Sequence, residues 1–227
     1  PSVYTYLPVF PQTSDYEGYY NGHSNSVIWP LFHYFPSFAE YSISNYDQYN
    51  TVNNLFAETL LKNVHAGDTI WIHDYQLLLL PGMIRQALPD VSIGFFLHIP
   101  FPSFELFRLI PWRAELLEGM LGADLLGFHT FDDSRHFINA VTRILPINAS
   151  ANVLMVNDRA VIAETFPMGI DYDKYASMVG DMEVQQQLQQ LEENFHGIKM
   201  ILTIDRLDYS KGILQRLQAF ELFLQLY

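Results

Sequence analysis

The sequence predicts an α/β fold, a mainly parallel Rossmann-like sheet domain followed by the start of a second Rossmann-like domain. Three observations carry that expectation. Short apolar runs recur at Thr69 to Ile72, Ile93 to Leu97 and Leu125 to Phe128. They do not alternate, which suits strands covered on both faces of a parallel sheet. Helical patterns fall between them, as a strand–helix–strand architecture requires. Near Asp171 the composition shifts, placing one domain at 1–170 and the beginning of another at 171–227.

Taken in order, the first forty residues are rich in Tyr, Pro, Asn and Ser, and read as loop with short extended pieces around Tyr6 to Phe10. A helix follows over roughly Tyr46 to Val64. Asn45 and Gln48 resemble its capping box, Val52, Leu55, Phe56 and Leu60 share a face, and Gly67 follows the end. After the Asp68 strand, Pro81 suits the first turn of a short helix to about Leu88. Ser103 to Leu121 is helical, with Pro111 bending or splitting it. Thr130 and Asp133 cap a helix that Pro146 ends. Val153 to Val156 and Val161 to Phe166 read as strands around a turn at Asn157-Asp158. Beyond the connector Gly169 to Asp173 lies a Gln-rich helix with Val184, Leu188, Leu191 and Phe195 on one stripe, closed by Gly197. Lys199 to Ile204 reads as a further strand, leading through Asp205 to Gly212 into a last helix.

With 227 residues, 49% of them hydrophobic and 16% charged, the chain is globular. A formal charge of -13 argues against nucleic acid and anionic membrane as partners, since both select basic surfaces. The apolar runs are too short to span a bilayer. The absence of cysteine excludes disulfides and thiolate metal sites, and fits a reducing cytoplasm. The chain opens on Pro1 without an initiator Met and stops at Tyr227 inside an apolar helical pattern, so it reads as a fragment of a longer protein.

In parallel sheets ligands collect at the carboxyl ends of the strands, where Asp74 and His98 would sit. A carboxylate beside an imidazole suits sugar or acid–base chemistry. Equally, His73 and His98 could be satisfied structural groups and Asp74 a turn cap. Tyr19 to Asn25, followed by Val27 to Tyr34, interleaves rings with amides and hydroxyls, a composition for a sugar or for an aromatic packing loop. Arg206 and Lys211 flank a strand-to-helix loop. Two cations and helix N–H groups there suit an anion, with a diphosphate as the natural guest, although a basic strand-to-helix loop is more often only a loop.

Arg206-Leu207-Asp208-Tyr209-Ser210-Lys211-Gly212 resembles the signature of trehalose-6-phosphate synthases. Tyr20-Asn21-Gly22, Ile28 to Tyr34, Trp71 to Tyr75, Phe95 to Pro102, Gly127 to Thr130 and Pro167 to Asp171 are similar to that family's motifs and stand in its order. The resemblance implies a two-Rossmann, B-type glycosyltransferase fold with the active site in the interdomain cleft. It implies transfer of glucose from UDP-glucose to glucose 6-phosphate with retention, without cofactor or metal. By motif position, Tyr20 and Trp29 are implied to bind the acceptor. Asp74 is implied to hold sugar hydroxyls at the reaction centre, and His98 to sit where acceptor and donor glucose meet. Arg206 and Lys211 are implied to bind the donor diphosphate.

His23 stands where many relatives carry Phe, beside the acceptor aromatics, so altered acceptor affinity is expected. The family's glycine-rich loop and its uridine-binding groups do not occur within this sequence. The resemblance leaves room for a fused phosphatase domain, a homo-oligomer, a different acceptor as in glucosylglycerol-phosphate synthase, or a non-catalytic sugar-phosphate-binding paralogue.

Overall fold

The computed structural model describes residues 4–227. The chain divides into two compact units, Pro1–Pro167 and Met168–Tyr227. Among the described residues, six strands form one sheet in the first unit, in the order β1-β2-β3-β6-β5-β4. They are β1 Thr69–His73, β2 Ser92–Phe96, β3 Leu125–Phe128, β4 Ala149–Ser150, β5 Val153–Val156 and β6 Arg159–Thr165. β1, β2, β3 and β6 are parallel, while β4 and β5 add an antiparallel edge. Asn157 and Asp158, at φ 47° and 64°, make the tight β5–β6 reversal, a conformation that Asn and Asp tolerate.

Cα partners share a face, and here one face is buried. Ile70 and Ile72, Ile93 and Phe95, Leu126 and Phe128, and Val161 and Ala163 all point into the core. The opposite face carries Trp71, Leu125, Ile162 and Met155, which are 67%, 39%, 40% and 52% exposed. Among the described residues the expected cover is complete on one face of these strands and partial on the other, where Phe96 is buried. An unbroken apolar run cannot tell a covered second face from an open one.

The opening segment also departs from the expected loop. It runs as α1 Thr13–Tyr16, a π-helical stretch Glu17–Ile28 and α2 Trp29–Phe32. Its residues are weak helix formers, so tertiary packing overrides propensity. The stretch lies so close to α3 (Ile43–Leu61) that a Cβ at Gly18 would run into the Gln48 amide. Ser42 caps α3 by accepting from the Asn45 N–H, so the helix begins before the expected capping box.

Further along, α4 Leu80–Ala87 carries Pro81 in its first turn. Pro111 separates α5 Phe104–Phe107 from α6 Arg113–Met120. α7 Phe131–Ile144 starts with the Thr130–Asp133 capping box. At the sheet's other end Asp124 takes a bidentate bond from Arg85, both oxygens at 2.8 Å, and a third contact from Arg159.

The second unit holds α8 Tyr172–Ser177, α9 Met182–Asn194 and α10 Ile213–Leu226. The expected strand at Lys199 to Ile204 does not form. Ile201, Leu202 and Ile204 are 70% or more exposed, and no second strand is present in the described residues of this unit to complete a ladder. No described helix is long and apolar enough to cross a membrane.

Candidate active site

The parallel register sets the site. His73 pairs with Phe96 across β1 and β2, and Phe96 with Gly127 across β2 and β3. The chain beyond these positions brings Asp74, His98 and His129 to the carboxyl edge. A Cβ at Gly127 would stand 2.6 Å from the Phe96 ring, so glycine makes room for that ring under the histidines. Phe96 lies 4.8 Å from His98 and 5.2 Å from His129, centroid to centroid.

Asp74 ties the edge together. Its Oδ1 accepts from the Tyr75 N–H at 3.0 Å and the His98 N–H at 3.2 Å, and its own N–H donates to Phe96 O at 2.8 Å. Its backbone sits at φ 75°, ψ 168°, a region populated almost only by glycine. Such strain clusters where a side chain must be held at one point.

The loop after His98 is pinned from below. The buried Asp133 carboxylate accepts the Phe101 N–H at 2.9 Å through Oδ1. Through Oδ2 it accepts both the N–H and the hydroxyl of Thr130. His73 Nδ1 and His98 Nε2 share a hydrogen bond of 2.9 Å. Burial lowers the His98 imidazole below its ordinary value. The Asp74 carboxylate opposes that shift, and His73 and His129 add to it.

Of the acceptor-side residues, Trp29 joins this edge, with its ring 5.7 Å from that of Tyr75, next to Asp74. Tyr75 is fixed in turn by Asn25, whose Oδ1 accepts its hydroxyl at 2.9 Å. Tyr20 lies in the π-helical stretch, where its ring stacks on Tyr16 at 5.4 Å. His23 does not face the site. It is fully buried among Tyr46, Tyr49 and Trp112, so it cannot touch a sugar. An effect of His23 on acceptor affinity would therefore act through the packing of these rings and not through the sugar.

Arg206 and Lys211 belong to the second unit. Lys211 ends a 3-10 turn, Tyr209–Lys211, and Gly212 at φ 62° leads into α10. Asp208 caps that turn by accepting the Ser210 N–H at 2.9 Å. Arg216 braces the loop, donating to Asp205 at 2.6 Å and to the Lys211 carbonyl at 3.0 Å. Among the described residues no cluster of His, Asp or Glu could hold a metal ion.

Glycosyltransferase family 20 is the family whose sequence model matches, over residues 2–227. The chain belongs to glycosyltransferase family 20. This family 20 chain is 47% identical over 213 residues to an α,α-trehalose-phosphate synthase (UDP-forming) of Pichia angusta, across 91% of its own length and 45% of the relative's. The α,α-trehalose-phosphate synthase (UDP-forming) of Burkholderia xenovorans, solved in complex with glucose-6-phosphate, is 34% identical with a TM-score of 0.86. That match covers 94% of this chain and 48% of the other. The N-terminal domain of a Candida albicans trehalose-6-phosphate phosphatase is 37% identical with a TM-score of 0.85, over 93% and 46%. The family 20 chain spans about half the length of the curated relatives it matches. Its α/β, mostly parallel Rossmann-like sheet is the fold of those solved relatives.

In the sequence Tyr75 and His129 stand inside family motifs without an implied role of their own. A signal was present: three apolar runs each end on a histidine, His73, His98 and His129.

Proposed function

We propose that the protein containing this chain is a retaining glucosyltransferase that moves glucose from UDP-glucose to glucose 6-phosphate, giving trehalose 6-phosphate and UDP. The observation that carries the reading is the gathering of Trp29, Tyr75, Asp74 and His98 at one sheet edge. A ring surface, a carboxylate acceptor and an imidazole together suit a hexose rich in hydroxyls. The names of the family 20 relatives support the same substrates.

In this reading Tyr20 and Trp29 hold the acceptor, Asp74 accepts sugar hydroxyls, and His98 stands where the two sugars meet. The acceptor's anomeric oxygen bonds to donor C1 on the face from which UDP leaves. The C1–O bond to the diphosphate breaks, and the acceptor proton passes to a departing phosphate oxygen. Arg206 and Lys211 stabilise the charge that grows on that diphosphate. The residues present call for no metal in this scheme.

The test is transfer by the full-length protein with UDP-glucose and glucose 6-phosphate in excess EDTA, with trehalose 6-phosphate as the expected product. Lys211→Ala should weaken mainly the donor, through loss of a charge-assisted contact worth about 1.5–3 kcal/mol. Trp29→Ala should weaken mainly the acceptor. Exchange of these two defects, or activity that returns only with divalent metal, overturns the assignment. A second reading is a sugar-phosphate-binding paralogue without turnover, since a domain of this fold also occurs in a trehalose-6-phosphate phosphatase. It predicts glucose 6-phosphate binding with no product.

A further inference from the structure

We infer that His73 is a positioning residue for His98, fixing its ring plane and choosing which of its nitrogens carries the proton. The inference rests on the proposed place of His98 at the reaction centre. It starts from the 2.9 Å bond between His73 Nδ1 and His98 Nε2. Two imidazoles that share one hydrogen bond have one donor and one acceptor. When His98 Nε2–H donates, His98 Nδ1 is left as a lone-pair acceptor. When His73 Nδ1–H donates, His98 carries its proton on Nδ1. In either polarity the partner sets the His98 tautomer, because the hydrogen bond made at one ring nitrogen decides the state of the other.

The pair is held in a clamp of rings. Trp71 stacks on His73 at 5.6 Å and 9° between planes, so His73 turns little about its own bond. His73 and His98 lie 5.1 Å apart at 26°. Phe96 supports His98 from the sheet, and His129 stands edge-on to it at 5.9 Å. The backbone is fixed as well, since Asp74, the residue after His73, accepts the His98 N–H. The titratable groups facing His98 are therefore Asp74 and His73 from the β1 end and His129 from the end of β3. The bond needs an N–H on one ring and a lone pair on the other, so the two tautomers are coupled.

A residue that merely fills space at position 73 would act through its ring, whereas a positioning residue acts through Nδ1. His73→Phe keeps the ring against Trp71 and removes the nitrogen. His73→Asn places an amide group where Nδ1 stands. Nitrogen-detected NMR of histidine-labelled 227-residue chain reads the His98 tautomer without any turnover. One dominant tautomer is expected in the wild type and in His73→Asn, and a mixture in His73→Phe. In the full-length protein, His73→Phe should lower kcat by roughly tenfold to a hundredfold with both KM values within about twofold, and His73→Asn should recover most of the loss.

An unchanged tautomer in His73→Phe overturns the inference. So does a His73→Asn variant as impaired as His73→Phe. Tautomer mixing in His73→Phe together with a wild type that makes no trehalose 6-phosphate supports the positioning and sinks the proposed function instead.

Discussion

Asp74 has a backbone that suits glycine and a side chain that glycine lacks. At ordinary positions Ala is more stable than Gly by about 0.5–1 kcal/mol, because Gly loses more freedom on folding. Here the order should invert. Asp74→Ala keeps a backbone strain of about 1–3 kcal/mol and loses the carboxylate bonds, whereas Asp74→Gly loses the bonds and releases the strain. Denaturant unfolding of the two variants checks this, with Gly expected to be the more stable by about 1 kcal/mol. His23 gives a second test. Neither ring nitrogen has a partner among the described residues, and burial pushes its imidazole down to about 3. The unfolded chain therefore binds a proton near pH 6.5 that the native chain refuses until about pH 3. Stability contributed by the neutral ring is complete above 6.5 and is lost as pH falls, by up to about 1.4 kcal/mol per pH unit. Melting curves between pH 7 and pH 5 should show a shallower fall for His23→Phe than for the wild type. Equal slopes would show that the buried ring is not what titrates.

The parallel strands could be read from the chain because their apolar runs are short, bounded and regularly interleaved with helical patterns. The π-helical stretch could not. Tyr, Gly, Asn and Ser disfavour helix locally, and burial of Tyr19, Val27 and Ile28 with close packing of Gly18 on Gln48 and Gly22 on Asn45 overrides them. Lys199 to Ile204 failed in the opposite sense: its composition is strand-like, but a strand exists only beside another. The site was legible in part for the same reason. Asp74 and His98 follow from where strands end, whereas the His73–His98 bond needs a register between residues 25 apart in sequence. Asp133 shows how elements transmit order to that site, joining the α7 cap to the Phe101 N–H. Asp133→Ala removes the return arm of the capping box and strands the buried Phe101 amide, so about 2–4 kcal/mol of stability should be lost. A melting point that stays within a degree or two of wild type would remove Asp133 from this role.

At the scale of the whole molecule, the two units differ in what they can hold. The first has a core, while no described residue of the second is buried. A diphosphate site on Arg206 and Lys211 would have to order its own support on binding, which costs affinity directly. Calorimetry of the 227-residue chain with UDP-glucose should therefore show no micromolar binding. Micromolar heat would show that the loop braced by Arg216 suffices. The backbone at Asp74 reaches further still, into how such proteins diverge. Aspartate and glycine codons differ at a single base, and glycine is the replacement that this backbone accepts with least strain. A point mutation can thus remove the carboxylate from the sheet edge while leaving the strands that carry it intact, so on the proposed function the step from enzyme to sensor is short.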